Sequence, residues 1–449
     1  MGAGGKEYTL TIKDTETVTA AEPVQEHRLP MSNLDLLLPA MDVGVFFCYK
    51  KPMAKTDFTF SSMVSALKSS LAEALSTYYP FAGEVVANPV SEPELLCNNR
   101  GVDFTAAYAD VELRELSLAD PDDSVEGKLV PKKNAGVLCV QVTELKCGGL
   151  VVACTFDHRV SDAYSANMFL VSWSEIATSK PVSRLPTFRR SLLTPRDPLR
   201  LHASLDVLFV PVSSLPPPKP VDEGEPAVNR IYYIAAADVD RMQAATKKRT
   251  KVEAFTAYIW LVLAKAAAPE EKWCRMGVVV DGRSRLGSAA MASYFGNVLS
   301  IPYGSLDAEE LRGMDLAEVA EEVHGWLRPA TTEEHFRGLV DWVEVHRPEP
   351  AVARIYCGEG DSGVGCVVSS GRAFPVAEVE FGWGKAVFGS YHFPWGSNAG
   401  YVMPMPSARG NGDWVVYAHL QKKVVEALEA EQPPVFCLVT PDYYLADTN

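Results

Sequence analysis

A proline-rich stretch from Lys180 to about Pro226 most constrains how this chain of 449 residues can fold. Proline has a fixed φ and no amide hydrogen, so a stretch dense in it forms neither a long helix nor a central strand. Nine prolines precede Pro226 in this stretch: Pro181, Pro186, Pro195, Pro198, Pro211, Pro216, Pro217, Pro218 and Pro220. We predict an N-terminal lobe over 1–190, a crossover linker over 191–225 and a C-terminal lobe over 226–449.

Apolar strands alternate with amphipathic helices on both sides of this stretch. Leu150–Phe156 is a continuous apolar run, which is typical of a strand buried on both faces. Phe60–Tyr78 instead has an apolar residue at every fourth position from Met63 to Leu75, which marks one face of a helix. Alternation of this kind predicts the α/β class.

Charge and cysteine content exclude several classes of protein. Asp and Glu (57) outnumber Lys and Arg (42), so we expect no nucleic-acid partner. The nine cysteines include no C-x-x-C pair, which indicates reduced thiols and no metal site. The first residues carry no signal-like apolar run, and the longest apolar run, Ala257–Ala268, is too short to cross a bilayer. We expect a cytoplasmic, monomeric protein that does not bind a membrane.

The glycine run Gly358–Gly363 matches the dinucleotide-binding pattern G-x-G-x-x-G. That pattern receives a pyrophosphate only where it opens a helix. Here the residues that follow, Val364–Ser369, are strand-like, and Glu359 and Asp361 would repel phosphate. We therefore predict an ordinary turn.

The pattern H-x-x-x-D occurs twice, as His158…Asp162 and as His202…Asp206. The second copy lies in the proline-rich stretch, where a solvated histidine is the ordinary expectation. The first copy follows the apolar run Leu150–Phe156 directly, and the ends of strands in α/β sheets are where reacting groups gather. His158 is therefore the candidate catalytic residue, with a structural histidine as the alternative.

Several segments together resemble the plant BAHD acyltransferases, which use acyl-CoA. They arrive in the family's order and cover nearly the whole chain: 67–83 (first-helix signature ending in Tyr-Tyr-Pro-Phe-Ala-Gly), 158–162 (H-x-x-x-D), 278–285, 294–297 (Tyr-Phe-Gly-Asn) and 380–385 (Glu-Phe-Gly-Trp-Gly-Lys). The resemblance implies a two-lobed fold similar to chloramphenicol acetyltransferase. Each lobe would be a mixed β-sheet flanked by helices, a long crossover loop would join them, and about 378–405 would complete the first lobe.

The same resemblance implies roles for individual residues. His158 would be the general base, Asp162 would orient its loop, and Trp383 would contribute to the oxyanion contact. Arg283 or Arg285 would form an ion pair with Asp162 or with Glu380, the acidic residue of the late motif at 380–385. That motif departs from the family pattern by having Glu in place of Asp, and it is expected to brace the domains through Glu380, Phe381, Gly382 and Gly384. Ala163 stands where the family usually has Gly.

Acyl-CoA is expected as a cosubstrate, with no tightly bound cofactor. The densest basic run, Lys247–Lys251, directly precedes a predicted helix, whose N-terminus favours phosphate. A solvated charge run is the alternative. The residues expected to contact CoA are Thr250, Lys251, Asn297 and Lys385.

The acceptor follows from finer features of the resemblance. Relatives that act on shikimate or quinate carry an arginine where this chain has Ala373, with Arg372 one place away, so a neutral acceptor is favoured. The segment 162–173 looks most like coniferyl alcohol acyltransferases. We expect acetyl or hydroxycinnamoyl transfer to a small aromatic alcohol. The alternatives are transfer to shikimate or quinate, N-acylation of a polyamine or aromatic amine, and a catalytically silent CoA-binding relative.

Overall fold

The computed structural model describes residues 6–52, 58–215, 227–247, 249–357, 363–395 and 399–446. Its strands are β1 (Leu10–Val18), β2 (His27–Pro30), β3 (Asp42–Tyr49), β4 (Glu84–Ala87), β5 (Pro93–Cys97), β6 (Val102–Ala109), β7 (Leu138–Leu145), β8 (Leu150–Asp157), β9 (Phe209–Pro211), β10 (Ala227–Ile234), β11 (Trp273–Asp281), β12 (Leu299–Ser300), β13 (Tyr303–Asp307), β14 (Ala351–Ala353), β15 (Gly363–Ser369), β16 (Phe388–His392), β17 (Ala399–Pro406), β18 (Trp414–Gln421) and β19 (Cys437–Leu438). Its α-helices are α1 (Phe60–Thr77), α2 (Pro121–Ser124), α3 (Ala163–Ala177), α4 (Ala203–Asp206), α5 (Ala236–Ala245), α6 (Lys251–Ala266), α7 (Ala308–Gly313), α8 (Leu316–Leu327), α9 (Glu333–His346), α10 (Lys422–Glu429) and α11 (Pro441–Leu445).

The first large sheet has the strand order β1-β6-β7-β8-β3-β16. Every residue of its central strand β8 is buried, which explains the uninterrupted apolar run in the sequence. The strand β16 comes from late in the chain and pairs antiparallel with β3, Phe388 opposite Cys48 and His392 opposite Gly44. A sheet built from the first half of the chain is thus completed by the second half.

The second large sheet has the order β12-β11-β15-β17-β18-β10-β19, with β13 paired to β11. The strands β11, β15 and β17 run parallel, and the remaining pairs are antiparallel, so the sheet is mixed. The helix α6 packs on β11 and β15 and is itself covered by α5, α8 and α10.

Side-chain caps fix the first residues of α3, which follows His158, and of α6, which follows the basic run. Asp162 caps α3 by accepting a hydrogen bond from the Ser165 amide, and Thr250 caps α6 together with Glu253 in a capping box. The helix predicted over Phe60–Tyr78 forms as α1, and its fourth-position apolar face is buried.

The crossover contains more structure than the predicted linker. Within its described part, α4 and β9 form, β9 pairs with β14, and the Arg196 side chain binds the buried Asp341 on α9. Proline excludes long elements but not short ones, and Leu205 and Phe209 supply enough apolar surface to fix this segment on the second half. Residues 216–226 lie outside the described residues, and the lobe boundaries at 190 and 225 stay predictions.

The fold also bears on two other expectations from the sequence, the glycine pattern and the lack of a membrane-spanning helix. Val364–Ser369 forms a strand within β15, while Gly358–Asp361 of the glycine pattern lies outside the described residues. Among the helices in the described ranges, none combines the length and the apolarity that spanning a bilayer requires.

Candidate active site

His158 follows β8 directly and lines a cavity of about 1710 Å³ between the two sheets. Its backbone amide donates to the Met41 carbonyl (2.9 Å), which holds the turn against the start of β3. Both halves of the chain contribute to the wall, for example through Met41 and Phe156 on one side and Val280 and Met403 on the other. The candidate base thus faces a large cavity whose wall comes from both halves of the chain.

Asn297 fixes the tautomer of His158. Its Nδ2 donates to the carbonyl oxygens of His158 (2.9 Å) and Arg159 (3.1 Å) and lies 3.0 Å from Oδ1 of Asp35. Because all three are acceptors, the amide has one orientation, and its Oδ1 faces His158 Nδ1 at 3.2 Å. The imidazole proton therefore lies on Nδ1, and Nε2 keeps a lone pair with no hydrogen-bond partner among the described residues.

Asp35 was not foreseen from the sequence. Its side chain is buried, and its Oδ1 accepts from the Asn297 amide (2.6 Å) while Oδ2 accepts from the Ser32 amide (2.8 Å). The available signal was a carboxylate inside the apolar run Leu34–Leu38, because a buried Asp is rare unless it is bonded. Its partner lies so far along the chain that no local pattern could identify it.

Asp162 turns away from His158 and pairs with Arg283. The two contacts measure 2.8 Å and 3.1 Å, and the side chains are 1% and 2% exposed. Asp162 also accepts from the amides of Ser165 (2.9 Å) and Val298 (3.1 Å), so its lone pairs are occupied. This arrangement orients the loop and leaves no contact through which Asp162 could polarise the imidazole.

Arg283 is the arginine that makes this ion pair, and it bridges several elements. Besides Asp162 it binds Asp281 (2.7 Å) and the carbonyl of Gly296 (2.8 Å). Burial alone would lower the pKa of Arg283, but Asp162 and Asp281 raise it above its ordinary value. Arg285, the other candidate, is exposed and lines the cavity instead.

The structure separates Trp383 from His158. The indole packs edge-on to Tyr49 (6.2 Å between ring centroids), and Tyr49 pairs with Leu150 at the start of β8, whereas His158 follows its end. An eight-residue strand spans roughly 25 Å, so the expected oxyanion contact from Trp383 is not formed. The spacing of the late motif gave no information on which end of the sheet it would reach.

The late motif instead attaches to the outside of the first sheet. The Glu380 amide donates to the Ser174 hydroxyl on α3 (2.8 Å), and the Phe381 ring lies edge-on to Trp173 at 4.9 Å. Gly382 and Gly384 have φ of 96° and 123°, which side chains rarely adopt. No arginine pairs with the Glu380 carboxylate in the described part of the chain. These contacts attach the motif to α3, and the expected bracing between the domains stays a prediction.

The four residues expected to contact CoA are not brought together. Asn297 is fully buried and engaged with His158, and Lys385 is exposed beside Trp383, away from the cavity wall. Thr250 is occupied as the cap of α6, and Lys251 pairs with Asp240 at 2.7 Å.

The basic run nevertheless lies beside the cavity. Val252, in the first turn of α6, belongs to the cavity wall, while Arg249 pairs with Glu321. Lys248 lies outside the described residues. The run therefore precedes a residue of the cavity wall, and its described partners already match part of its charge.

Part of the cavity wall is aromatic, and two arginines line the same cavity. The aromatic residues lining it include Tyr356, Phe393, Trp395 and Tyr401, whose ring centroids lie 4.2 Å (Tyr356–Trp395), 5.9 Å (Phe393–Trp395) and 5.3 Å (Phe393–Tyr401) apart. Arg285 and Arg372 line the same cavity, and neither has an ion pair among the described residues. Such a wall suits planar, uncharged or anionic groups.

Comparison with known proteins identifies the class. The chain is 28% identical to a hydroxycinnamoyltransferase of Narcissus pseudonarcissus over 92% of this chain and 96% of the relative. It is 27% identical to a hydroxycinnamoyl-CoA:5-hydroxyanthranilate N-hydroxycinnamoyltransferase of Avena sativa (93% and 98%). It is 24% identical to a shikimate O-hydroxycinnamoyltransferase of Nicotiana tabacum (94% and 98%).

Solved structures share the architecture. Vinorine synthase superposes with a TM-score of 0.72 at 20% identity, covering 96% of this chain and 99% of that one. TRI101 of F. graminearum, complexed with coenzyme A and T-2 mycotoxin, gives 0.73 at 15% identity (91% and 98%). The predicted two-lobed fold, with mixed sheets flanked by helices, is thereby confirmed.

The two-lobed acyltransferase fold and the H-x-x-x-D histidine at its central cavity define the class. The transferase family model matches residues 8–433, and the chain belongs to this family, the BAHD acyl-CoA-dependent acyltransferases. The family predicted from the sequence is confirmed.

Proposed function

We propose that this enzyme moves an acetyl or hydroxycinnamoyl group from a CoA thioester to the hydroxyl of a phenylpropanoid alcohol such as coniferyl alcohol, with His158 as general base. The observation that carries the proposal is the bond between His158 Nδ1 and Asn297, which leaves Nε2 as the basic atom in the cavity wall. A base with its proton fixed on the far nitrogen is ready to accept another.

The proposed reaction needs no acyl-enzyme. Nε2 takes the proton of the acceptor hydroxyl while that oxygen forms a bond to the thioester carbonyl carbon. The carbon–sulfur bond then breaks, and CoA leaves as a thiolate that receives the proton from Nε2. Asn297 accepts a hydrogen bond from Nδ1 throughout, and Asp35 holds the Asn297 amide in the orientation that this bond requires.

Acyl-CoA is proposed to enter along the first turn of α6. The wall residue Val252 links that turn to the cavity, and Lys247, Thr250 and Lys251 precede or begin the helix. A phosphate bound there would displace the Asp240 carboxylate from the Lys251 ammonium group. The backbone dipoles at the helix N-terminus would also attract the phosphate.

The aromatic wall supports an aromatic substrate. Phe393 and Trp395 stack with 19° between their planes, and the Phe393 ring lies 6.1 Å from the imidazole of His158. A hydroxycinnamoyl or phenylpropanoid ring would bury a large apolar area against such side chains next to the base.

Arg372 supports a second candidate acceptor that carries a carboxylate, such as shikimate or quinate. The sequence argument favoured a neutral acceptor because Ala373 replaces the relatives' arginine, yet the neighbouring Arg372 lines the cavity. A guanidinium there could bind a carboxylate bidentately. A cationic polyamine is less suited, because the wall carboxylates Asp162 and Asp281 are both bonded to Arg283.

The test is CoA-thiol release by the purified protein. Acetyl-CoA and p-coumaroyl-CoA are each combined with coniferyl alcohol, shikimate and a polyamine. Coniferyl alcohol turnover that falls by about 10²–10⁴-fold in His158→Ala would support the proposal. His202→Ala is the matched control, because His202 is exposed and bound to Glu334 on the surface.

Three other outcomes discriminate among the alternatives. Efficient turnover of shikimate, with no turnover of coniferyl alcohol, would show that the acceptor carries a carboxylate and is not neutral. Efficient use of the polyamine would establish N-acylation. Binding of CoA without turnover of any pair would establish a catalytically silent relative.

A further inference from the structure

Asn167 lies on α3, about one and a half turns beyond Asp162, in the cavity wall. The proton transfer proposed above does not use it. The residue is 7% exposed, and both ends of its amide are engaged: Nδ2 donates to the Ala373 carbonyl (3.0 Å) and Oδ1 accepts from the Tyr391 hydroxyl (2.8 Å). Because the Ala373 carbonyl can only accept, the amide has a single orientation.

The segment 370–374, here called the Arg372 loop, is held to the second sheet at its start. The Gly371 amide donates to the Pro404 carbonyl (2.9 Å). A side chain on Gly371 would place Cβ 2.5 Å from Met405 Cγ, so the loop lies close against β17. This end belongs to the second half of the chain.

The other end of the loop is held to the first half. The Phe374 ring stacks on Phe47 of β3 (5.3 Å, 4° between planes), and the Phe374 amide closes a turn onto the Gly371 carbonyl (2.8 Å). The Asn167 bond falls on Ala373, between this anchor and Arg372. It ties the loop to α3, the helix that begins at the catalytic turn.

Arg372 is the charged side chain that this loop presents to the cavity. It is exposed and has neither an ion pair nor a hydrogen bond among the described residues. A displacement of about 1 Å is enough to spoil a guanidinium contact or a reactive alignment. The precision with which Arg372 meets a substrate therefore depends on what fixes Ala373.

We infer that Asn167, held by Tyr391, is a positioning residue that fixes the Arg372 loop against α3 and thereby sets the preference between carboxylate-bearing and neutral acceptors. The inference rests on the proposed function for its acceptor part, while the loop part stands on the contacts alone. Tyr391 contributes by holding Oδ1 of Asn167, so its hydroxyl acts one contact further from the loop.

Three variants isolate this role. Asn167→Leu keeps the branched side-chain skeleton and removes both hydrogen bonds. Tyr391→Phe removes only the hydroxyl, which holds Asn167 and also lies 3.4 Å from the Ala163 carbonyl. Ser174→Ala is the matched control, because Ser174 lies on the same helix and also bonds the backbone of a distant segment, accepting from the Glu380 amide outside the cavity. If Asn167→Leu does not fold, Tyr391→Phe carries the test.

Hydrogen–deuterium exchange tests the loop part on the full chain without any substrate. Exchange at the Gly371 and Phe374 amides is expected to rise by about tenfold in Asn167→Leu, less in Tyr391→Phe, and not in Ser174→Ala, where the Glu380 amide changes instead. Unchanged exchange at Gly371 and Phe374 in a folded Asn167→Leu protein would overturn the inference.

Steady-state kinetics test the acceptor part. The ratio of kcat/KM for shikimate to that for coniferyl alcohol should change by about fivefold in Asn167→Leu through the acceptor KM, with the acyl-CoA KM unchanged. An equal fall in kcat with both acceptors would indicate a merely structural residue and overturn this part. A wild-type protein that turns over neither acceptor would refute the proposed function, and the acceptor part with it, while the exchange result still decides the loop part.

Discussion

The two H-x-x-x-D segments share a spacing, but their aspartates occupy opposite ends of a helix. Asp162 precedes α3 as its cap and is buried against Arg283. Asp206 is the last residue of the short helix α4, is exposed, and accepts a hydrogen bond from the Trp342 indole at 2.7 Å. What distinguishes the copies is the buried strand before His158 and the long helix after it, not the pattern itself.

The largest expected difference between the copies concerns stability. Asp162→Ala leaves the Arg283 guanidinium buried without its bidentate partner, and we expect it to lower the free energy of unfolding by about 3–5 kcal/mol. Asp206→Ala removes one partly solvated hydrogen bond and should cost about 1 kcal/mol. Urea-induced unfolding measures both losses. Equal losses would show that the buried ion pair stabilises the fold no more than a single partly solvated hydrogen bond does.

A third histidine sharpens the comparison through its pH dependence. His392 on β16 is 3% exposed, and burial lowers its pKa to about 4, from an ordinary value near 6.5. Between these values the unfolded chain binds the proton and the folded chain does not, so stability falls as the pH drops from 6.5 towards 4.

The His392 contribution is roughly 3 kcal/mol at its full extent. We expect His392→Phe to flatten the dependence of the melting temperature on pH in this window. A remainder comes from His335, whose pKa burial also lowers to about 4, and from His419, whose pKa burial lowers as well. His202→Phe, at an exposed site, is the control. The same acid dependence in His392→Phe as in the wild type would contradict this assignment.

His158 and His202 also differ in their hydrogen-bond partners, because His158 is bonded to the Asn297 amide. Asn297→Ala frees Nδ1, so the imidazole can hold its proton on either nitrogen. We expect kcat to fall by about 10–100-fold while the acceptor KM changes little. Thiol-release kinetics decide this, and a variant with increased KM and unchanged kcat would assign Asn297 to substrate binding instead.

The smallest effect is expected at the second motif itself. His202 and Glu334 form an exposed pair at 2.8 Å, and His202→Ala should change the free energy of unfolding by less than about 1 kcal/mol. Thermal unfolding at low and high salt measures it. A loss comparable to that of Asp162→Ala would mean that the crossover contributes far more to the fold than its exposure indicates.

Local patterns allowed part of this molecule to be predicted from its sequence. The apolar face of α1 and the buried run of β8 follow from side-chain periodicity, and the position of His158 follows from the end of that run. The α/β class follows from the alternation of strands and helices, and the two-lobed architecture follows from the resemblance and the order of its motifs. The apolar face of α1, the run of β8 and the position of His158 are each encoded in one short segment of the chain.

The rest depended on pairings between distant positions. The support of Asn297 by Asp35 and the attachment of Trp383 beside Tyr49 join segments that no periodicity relates. A carboxylate or an indole in a motif shows that a contact is needed but not where the sheet will bring it. For that reason the oxyanion contact expected of Trp383 is not formed, and Asp35 was not foreseen.

The late arrival of β16 has a consequence for synthesis on the ribosome. The strand β3, buried from Val43 to Tyr49 in the finished protein, pairs with β8 on one side but must wait for Phe388–His392 on the other. Translation takes on the order of tens of seconds to supply that partner. During this interval an apolar strand edge is open to other nascent chains, so the yield of active enzyme should depend on translation speed and on chaperones that cover such edges.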